Sequence, residues 1–518
     1  MIIRHEVGVP GLRKILILLL FLLPASLTLL SCGGYGSSGG SQTSGLKNRA
    51  FISNNVSAGS EAAGVYIVDA QNDVRGAASP ISAGNNPGMM VLTPNQAQTL
   101  VFSGSGTQSS DNQFSIINNA SEQNAAHVSL PGSTESFVVS PDSSTAYVAV
   151  PTGPVTGQSG EGIVDVIALS SGVVTASISC PPYNPNTANP VCVPNPVPQP
   201  PQSVCNVRPA ECGGFNAPYR FLSVGNTGTR ILAFSEGADS IANEVAVITP
   251  SSVGTANPVV TFVDGVAAGH PFDHPIWAFF NSGDTTAYVV NCGPECGGIQ
   301  ASVQTIDLTT NPPTVGQAVS VPAATVALVQ NSSTMYLAGT PYTNGVPSQT
   351  CAGETTAAPT CGVLTIFNLS TMSVIQPPVQ PPYCAAGQQC PIIITDGYHN
   401  HLSLGANGQL FIGARTCSEV IPPVPPPPGA EIRGCLSIYN TQTSAVVIPP
   451  ATGDVTGIQP IATRDVVYVI QGQNVQGGTL YIYDTTTDAL EFNPNDPNNP
   501  GQISGLVGEF FDVKAVDF

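Results

Sequence analysis

An internal repeat constrains this chain more than any other feature. Phe137 to Val150 reads FVVSPDSSTAYVAV, an apolar run, a polar turn and a second apolar run rich in β-formers. Related stretches follow the same plan. They are VLTPNQAQTLVFSG from Val91, FLSVGNTGTRILAFS from Phe221, AFFNSGDTTAYVV from Ala278, VALVQNSSTMYLAG from Val326, LSLGANGQLFIGA from Leu402 and QPIATRDVVYVI from Gln459. A third apolar run follows each hairpin, as at 164–169, 303–308 and 480–484, and several end in Asp or Asn followed by Thr or Ser. A weaker fourth run often comes next, as at 173–179. A module of this size cannot bury its apolar faces alone, so copies must stack.

Four antiparallel strands per module is the plan of a propeller blade. Phe51, Leu100, Tyr147, Ile231, Tyr288, Tyr336, Phe411 and Tyr468 mark the second strand of successive modules. The first module starts at Arg49 with no strand before it, and the chain ends in FDVKAVDF, a strand with no hairpin after it. The last strand therefore completes the first module and closes a ring, which removes free sheet edges. The expected fold class is all-β: a single propeller of eight four-stranded blades, with seven as the alternative. The pattern SPD-x4-YV at Ser140 to Val148, followed by the strand at 163–169, resembles the YVTN-type β-propeller repeats of bacterial surface and periplasmic proteins. The resemblance extends over nearly all of 49–518, but 137–169 alone is a near-full match. It implies a fold and leaves the activity open; some such propellers resemble lactonases.

Composition agrees with many short strands and turns: 53 Gly, 48 Pro and only 9% charged residues. The formal net charge of −19 repels phosphate backbones, and no basic patch offsets it, so nucleic acid is excluded as a partner.

Residues 1–31 read as an export signal, with Arg4, Arg13 and Lys14 ahead of an apolar run from Ile15 to Leu23. Leu29-Leu30-Ser31-Cys32 resembles the bacterial lipobox, in which the cysteine is lipidated and becomes the new N-terminus. Gly33 follows rather than Asp, which by the same resemblance favours the outer membrane. Residues 32–48 are the lipid-bearing Cys32 and a Gly/Ser-rich tether. The propeller occupies 49–518, and the membrane is reached through the lipid only.

Twelve further cysteines stand at Cys180, Cys192, Cys205, Cys212, Cys292, Cys296, Cys351, Cys361, Cys384, Cys390, Cys417 and Cys435. An even number in an exported chain points to disulfides. They cluster locally, in or beside Pro/Gly-rich insertions at about 180–215, 340–398 and 415–435, and are expected to staple those loops. Metal or redox use is the alternative.

The candidate chemistry is sparse. His270 and His274 lie in GHPFDHP, and His399 and His401 in DGYHNH; both groups precede an inner strand, where neutral imidazoles flanked by Asp273 or Asp396 can bind a transition metal. No other cofactor is suggested. The single tryptophan, Trp277, argues against WD40 and quinone-dependent propellers, and no nucleophile elbow, Walker motif or HExxH occurs. The expectation is a binding or scaffolding module of the cell envelope, monomeric, with a protein or glycan partner. The alternative is a periplasmic hydrolase or metal-dependent enzyme working at the propeller rim.

Overall fold

The repeated apolar runs form short antiparallel strands throughout the computed structural model. It describes residues 43–55, 62–104, 111–151, 163–178, 219–235, 245–250, 260–263, 265, 268–343, 345–348, 360–377, 391–418, 434–449, 453–474, 477–491, 501–503, 506 and 508–517. Helix is almost absent among them, apart from a 3-10 turn at Gly293–Cys296.

Each repeat is a meander in which neighbouring strands pair in chain order. Pro87–Leu92, Gln98–Ser103, Gln113–Asn118 and Gln123–Ser129 make one sheet, and Ser136–Val139, Thr145–Val150, Ile163–Ala168 and Val173–Ile178 make the next. The same order recurs in the sheets beginning at Tyr219, Pro275, Val326 and Tyr398. In two of them the outermost position is shared: Thr314–Val315 and Val319–Ser320 both pair with Ser302–Asp307, while Ser373–Ile375 and Ile392–Ile394 both pair with Gly362–Asn368. The interval 340–398, expected as an insertion, thus contains three strands of a sheet and a small hairpin, Tyr342–Thr343 with Val346–Pro347. The ends of the chain share a sheet: Phe510–Ala515 pairs with Arg49–Asn54, Ala50 opposite Ala515 and Ile52 opposite Val513.

Burial explains why inner strands read as unbroken apolar runs while outer ones alternate. Arg49–Asn54 is buried at every position, because both faces of its sheet are covered. Gln123–Ser129 and Val173–Ile178 alternate between exposed and half-buried. All but one of the core clusters lie between modules consecutive in sequence. Leu100, Phe114, Phe137 and Val148 fill one such layer, with the Phe114 and Phe137 rings 5.1 Å apart and edge-on. Another contains Ala50, Ile52 and Tyr66 from the first module with Tyr468, Ile470 and Ile482 from the last, two modules joined into one sheet where Gly478 pairs with Phe510. Successive first strands also touch in a chain: 87–92, 136–139, 219–224, 275–280, 326–330, 398–404, 454–461, 510–515 and back to 87–92.

The polar turns are built by their own side chains. Asp142 accepts from Ser140 Oγ (2.5 Å) and from the Ser144 amide (3.0 Å), and the Thr145 amide donates to Ser140 Oγ (3.0 Å). The recurrent Asp or Asn after the third strand is an Asx turn: Asp307, Asn368, Asn440 and Asp484 each accept from backbone amides two or three residues on. Bonds from Thr309 and Thr486 help hold the Asp307 and Asp484 carboxyls below their ordinary pKa.

Candidate functional site

Strand direction alternates within each sheet, so the starts of first strands, the ends of second strands and the sheet-to-sheet connections emerge at one common edge. The described disulfides gather there, together with the buried His274, Asp396, His399 and Asp512. Cys292 and Cys296 are bonded, as are Cys417 and Cys435, and Cys361 is in a disulfide too. The 292–296 and 417–435 pairs are local staples of the kind expected from spacing. Disulfides persist in oxidising compartments, which places the protein outside the cytoplasm. Among the described residues no helix is long and apolar enough to cross a membrane. Cys32, Cys180, Cys192, Cys205, Cys212, Cys351, Cys384, Cys390 and the Pro-rich segment 421–428 lie outside the described residues.

The edge is ordered by backbone bulges near the starts of the first strands. A bulge between His399 and His401 sets His399 opposite Ala414 but His401 opposite Gly413. Adjacent partners point to opposite faces, so the two imidazoles do as well. His399 is buried against Gly362 in the preceding sheet, and its Nε2 donates to Thr395 O at 3.0 Å. His401 Nε2 donates to Thr456 O of the following sheet at 2.6 Å. Burial pushes both imidazoles down to about 4, so both are neutral. In the other group, His274 Nδ1 lies 2.9 Å from Asp273 Oδ1, and Asp273 Oδ2 accepts from the Ile299 and Gln300 amides. His270 meets its surroundings through its backbone, donating to Gly265 O and accepting from Gln304 Nε2. The four histidines that the sequence singles out are therefore held apart: His399 and His401 contact neighbouring sheets, while His270 and His274 are held within their own module. Among the described residues no group of three or more His, Cys, Asp or Glu side chains is gathered to hold a metal.

The side chains that dominate the edge are ones the motif search passed over. Glu295 sits inside the turn stapled by Cys292–Cys296, and its Oε2 accepts from the Thr340 amide at 2.8 Å. A Cβ at residue 339 would stand 2.8 Å from Ala323 Cβ and from Ala324 N and 2.9 Å from that oxygen, a crowding that glycine avoids. Burial drives the Glu295 carboxyl up to about 8. Asp396, also buried, accepts from the Thr360 hydroxyl and, at 2.7 Å, from the Ser418 amide. Asp512 accepts from Met90 N (2.8 Å), Val513 N (2.8 Å) and Lys514 Nζ (2.9 Å), which ties the terminal strand to the second sheet. Arg220 holds Glu135 with two bonds, Nε to Oε2 at 2.6 Å and an outer nitrogen to Oε1 at 3.1 Å. Arg415 stands across the ladder from Tyr398, its guanidinium 5.5 Å from the centre of the Phe511 ring.

Sequence offered one signal for Arg415. Second strands of other modules end in Asn54, Ser103, Val150, Asn291 or Gly339, so a cation at this position breaks the repeat. Glu295 carries no such mark, since its burial comes from the neighbouring module.

No protein-family model matches the chain, and no curated sequence does. Solved structures do. Dihydro-heme d1 dehydrogenase NirN, solved in complex with DHE, superposes with a TM-score of 0.53 at 10% identity, over 91% of this chain and 76% of its own. The Pseudomonas aeruginosa periplasmic gluconolactonase PpgL aligns with a TM-score of 0.42 at 13% identity, over 90% and 98%. The Cps50 (Swd1) β-propeller domain of Myceliophteria thermophila aligns at 0.42 and 8%, over 74% and 92%. The fold is β-propeller-type. At such identities likeness extends to the fold alone.

Proposed function

We propose that this chain is a lipid-anchored envelope protein, tethered through Cys32, whose modules form one eight-bladed ring acting as a binding module. The ring reading is supported by the cyclic order of contacts among first strands, by a core layer shared between the first and last modules and by the pairing of Phe510–Ala515 with Arg49–Asn54. Eight is favoured over seven because each of the eight second-strand markers lies in a strand with a first-strand partner.

The observation that carries binding is the pre-organisation of the common edge. Its loops are stapled, and Asp396, Asp512 and Glu135 are each held by two or more donors. A surface already fixed in one shape loses little entropy on meeting a ligand. A lactonase-like hydrolase is the second reading, and Asp273–His274 is what favours it: a carboxylate orients an imidazole as in a catalytic relay. No hydrogen bond among the described residues joins His274 to a hydroxyl or thiol that it would activate.

Both parts are testable on the full chain. Cys32→Ala is expected to move the protein from membrane to soluble fractions, and intact attachment would sink the anchor. Incubation of the purified protein with γ- and δ-lactones is expected to give no hydrolysis above buffer. Turnover that His274→Ala removes would replace the binding reading with the hydrolytic one.

A further inference from the structure

Arg415 is out of balance with its surroundings. Its Nε is buried without a hydrogen-bond acceptor among the described residues, and burial holds its pKa below the ordinary arginine value. Buried guanidinium donors without acceptors are costly, so proteins pair them. The acidic groups in its field are Asp454, Asp512 and Glu135, with the Tyr398 hydroxyl as a fourth titratable neighbour. Each carboxylate is engaged by another donor. Asp454 accepts from the Thr416 amide at 2.6 Å. Both oxygens of Asp512 are taken by Met90, Val513 and Lys514. Both oxygens of Glu135 are taken by Arg220. Among the described residues the guanidinium is left with an aromatic face at Phe511 and an Nε–H for which no anion is supplied. Tyr398, opposite Arg415 in the ladder, is 40% exposed, unusual for a large ring on a first strand.

We propose that Arg415 anchors a carboxylate-binding subsite at the common edge, taking both oxygens of a small organic acid on Nε and a neighbouring N–H, with the Tyr398 ring alongside the acid's carbon skeleton. This deepens the binding reading and rests on it. The planar fork matches a carboxylate in two-point geometry. Monoanions are favoured over phosphate because the nearby cations, Arg220 and Lys514, already have acidic partners. A second negative charge would meet Asp454, Asp512 and Glu135 without compensation.

The test is thermal denaturation of the full chain in detergent, at constant ionic strength, with sodium acetate, lactate or D-glucuronate, against sodium chloride and inorganic phosphate. At least one carboxylate is expected to raise the melting temperature saturably. Arg415→Met should abolish that response. Arg415→Lys, which keeps the charge but loses the fork, should weaken the apparent Kd about tenfold or more. The proposal is overturned if no carboxylate of the set stabilises the wild type, if the response survives in Arg415→Met, or if phosphate stabilises as strongly. These outcomes are separable from the parent reading: a protein that binds no carboxylate but still turns over no lactone loses the subsite alone.

Discussion

Glu295 gives the sharpest quantitative test of the common edge. Its carboxyl is raised from 4.5 to about 8, chiefly by burial and against the Thr340 amide bond. The folded protein therefore retains a proton there that the unfolded chain gives up. The stability associated with that proton is complete below pH 4.5, declines as pH rises towards 8 and is gone above it. At ~1.4 kcal/mol per pKa unit the full shift corresponds to about 5 kcal/mol. The side chain is only half-buried, and solvent screening brings the expectation to ~2–3 kcal/mol. Glu295→Gln keeps the shape and an acceptor for Thr340 but cannot ionise. The variant should match wild type near pH 4.5 and exceed it above pH 8 by that amount. An unfolding entropy of ~2.1 cal/mol/K per residue gives about 1 kcal/mol/K for a unit of this size, so the gain reads as about 2–3 °C in Tm. Differential scanning calorimetry of both proteins across this range is the assay. A Tm difference independent of pH, or one favouring wild type at high pH, refutes the reasoning that the stapled turn forces this carboxyl into a water-poor site.

Two further predictions concern how the ends of the chain are joined. Arg49 binds Asp517 through two nitrogens (2.6 and 2.7 Å), Glu122 at 2.8 Å and Asn119 O at 2.7 Å. Arg49→Met leaves the buried Glu122 side chain without its cation and is expected to cost about 3 kcal/mol, seen as a lower urea midpoint; an unchanged midpoint contradicts that role. Deleting residues 510–518 removes the partner of Arg49–Asn54 and the buried Phe510, Val513 and Val516. The truncated protein should aggregate by light scattering, because an apolar strand edge is uncovered; a soluble, cooperatively melting product argues against the ring.

Much of the fold was legible because each repeat contains its own instructions. Ser140-Pro-Asp142 encodes a turn that its own side chains complete, and Asp484 followed by Thr486 encodes another. The alternation of strand and turn then follows locally. Even the pairing of the last strand with the first could be read, since each lacks a partner within its own stretch of the repeat. The disulfides at 292–296 and 417–435 were legible for the same reason, their partners being close in sequence.

The site was not legible in this way. His399 and His401 sit two apart, which in a regular strand puts both on one face; a single bulged residue, Asn400, sends them to opposite sheets. Glu295 is a commonplace surface residue by sequence, and becomes a carboxyl with pKa about 8 only because the next module closes over it. Arg415 becomes an unpaired cation only when Asp454, Asp512 and Glu135, from separate modules, are all drawn to other donors. Sequence by itself determined the module and its turns, because those depend on neighbours along the chain. Tertiary structure alone decided which charges are buried and which lack partners, because dielectric environment and hydrogen-bond supply depend on neighbours in space.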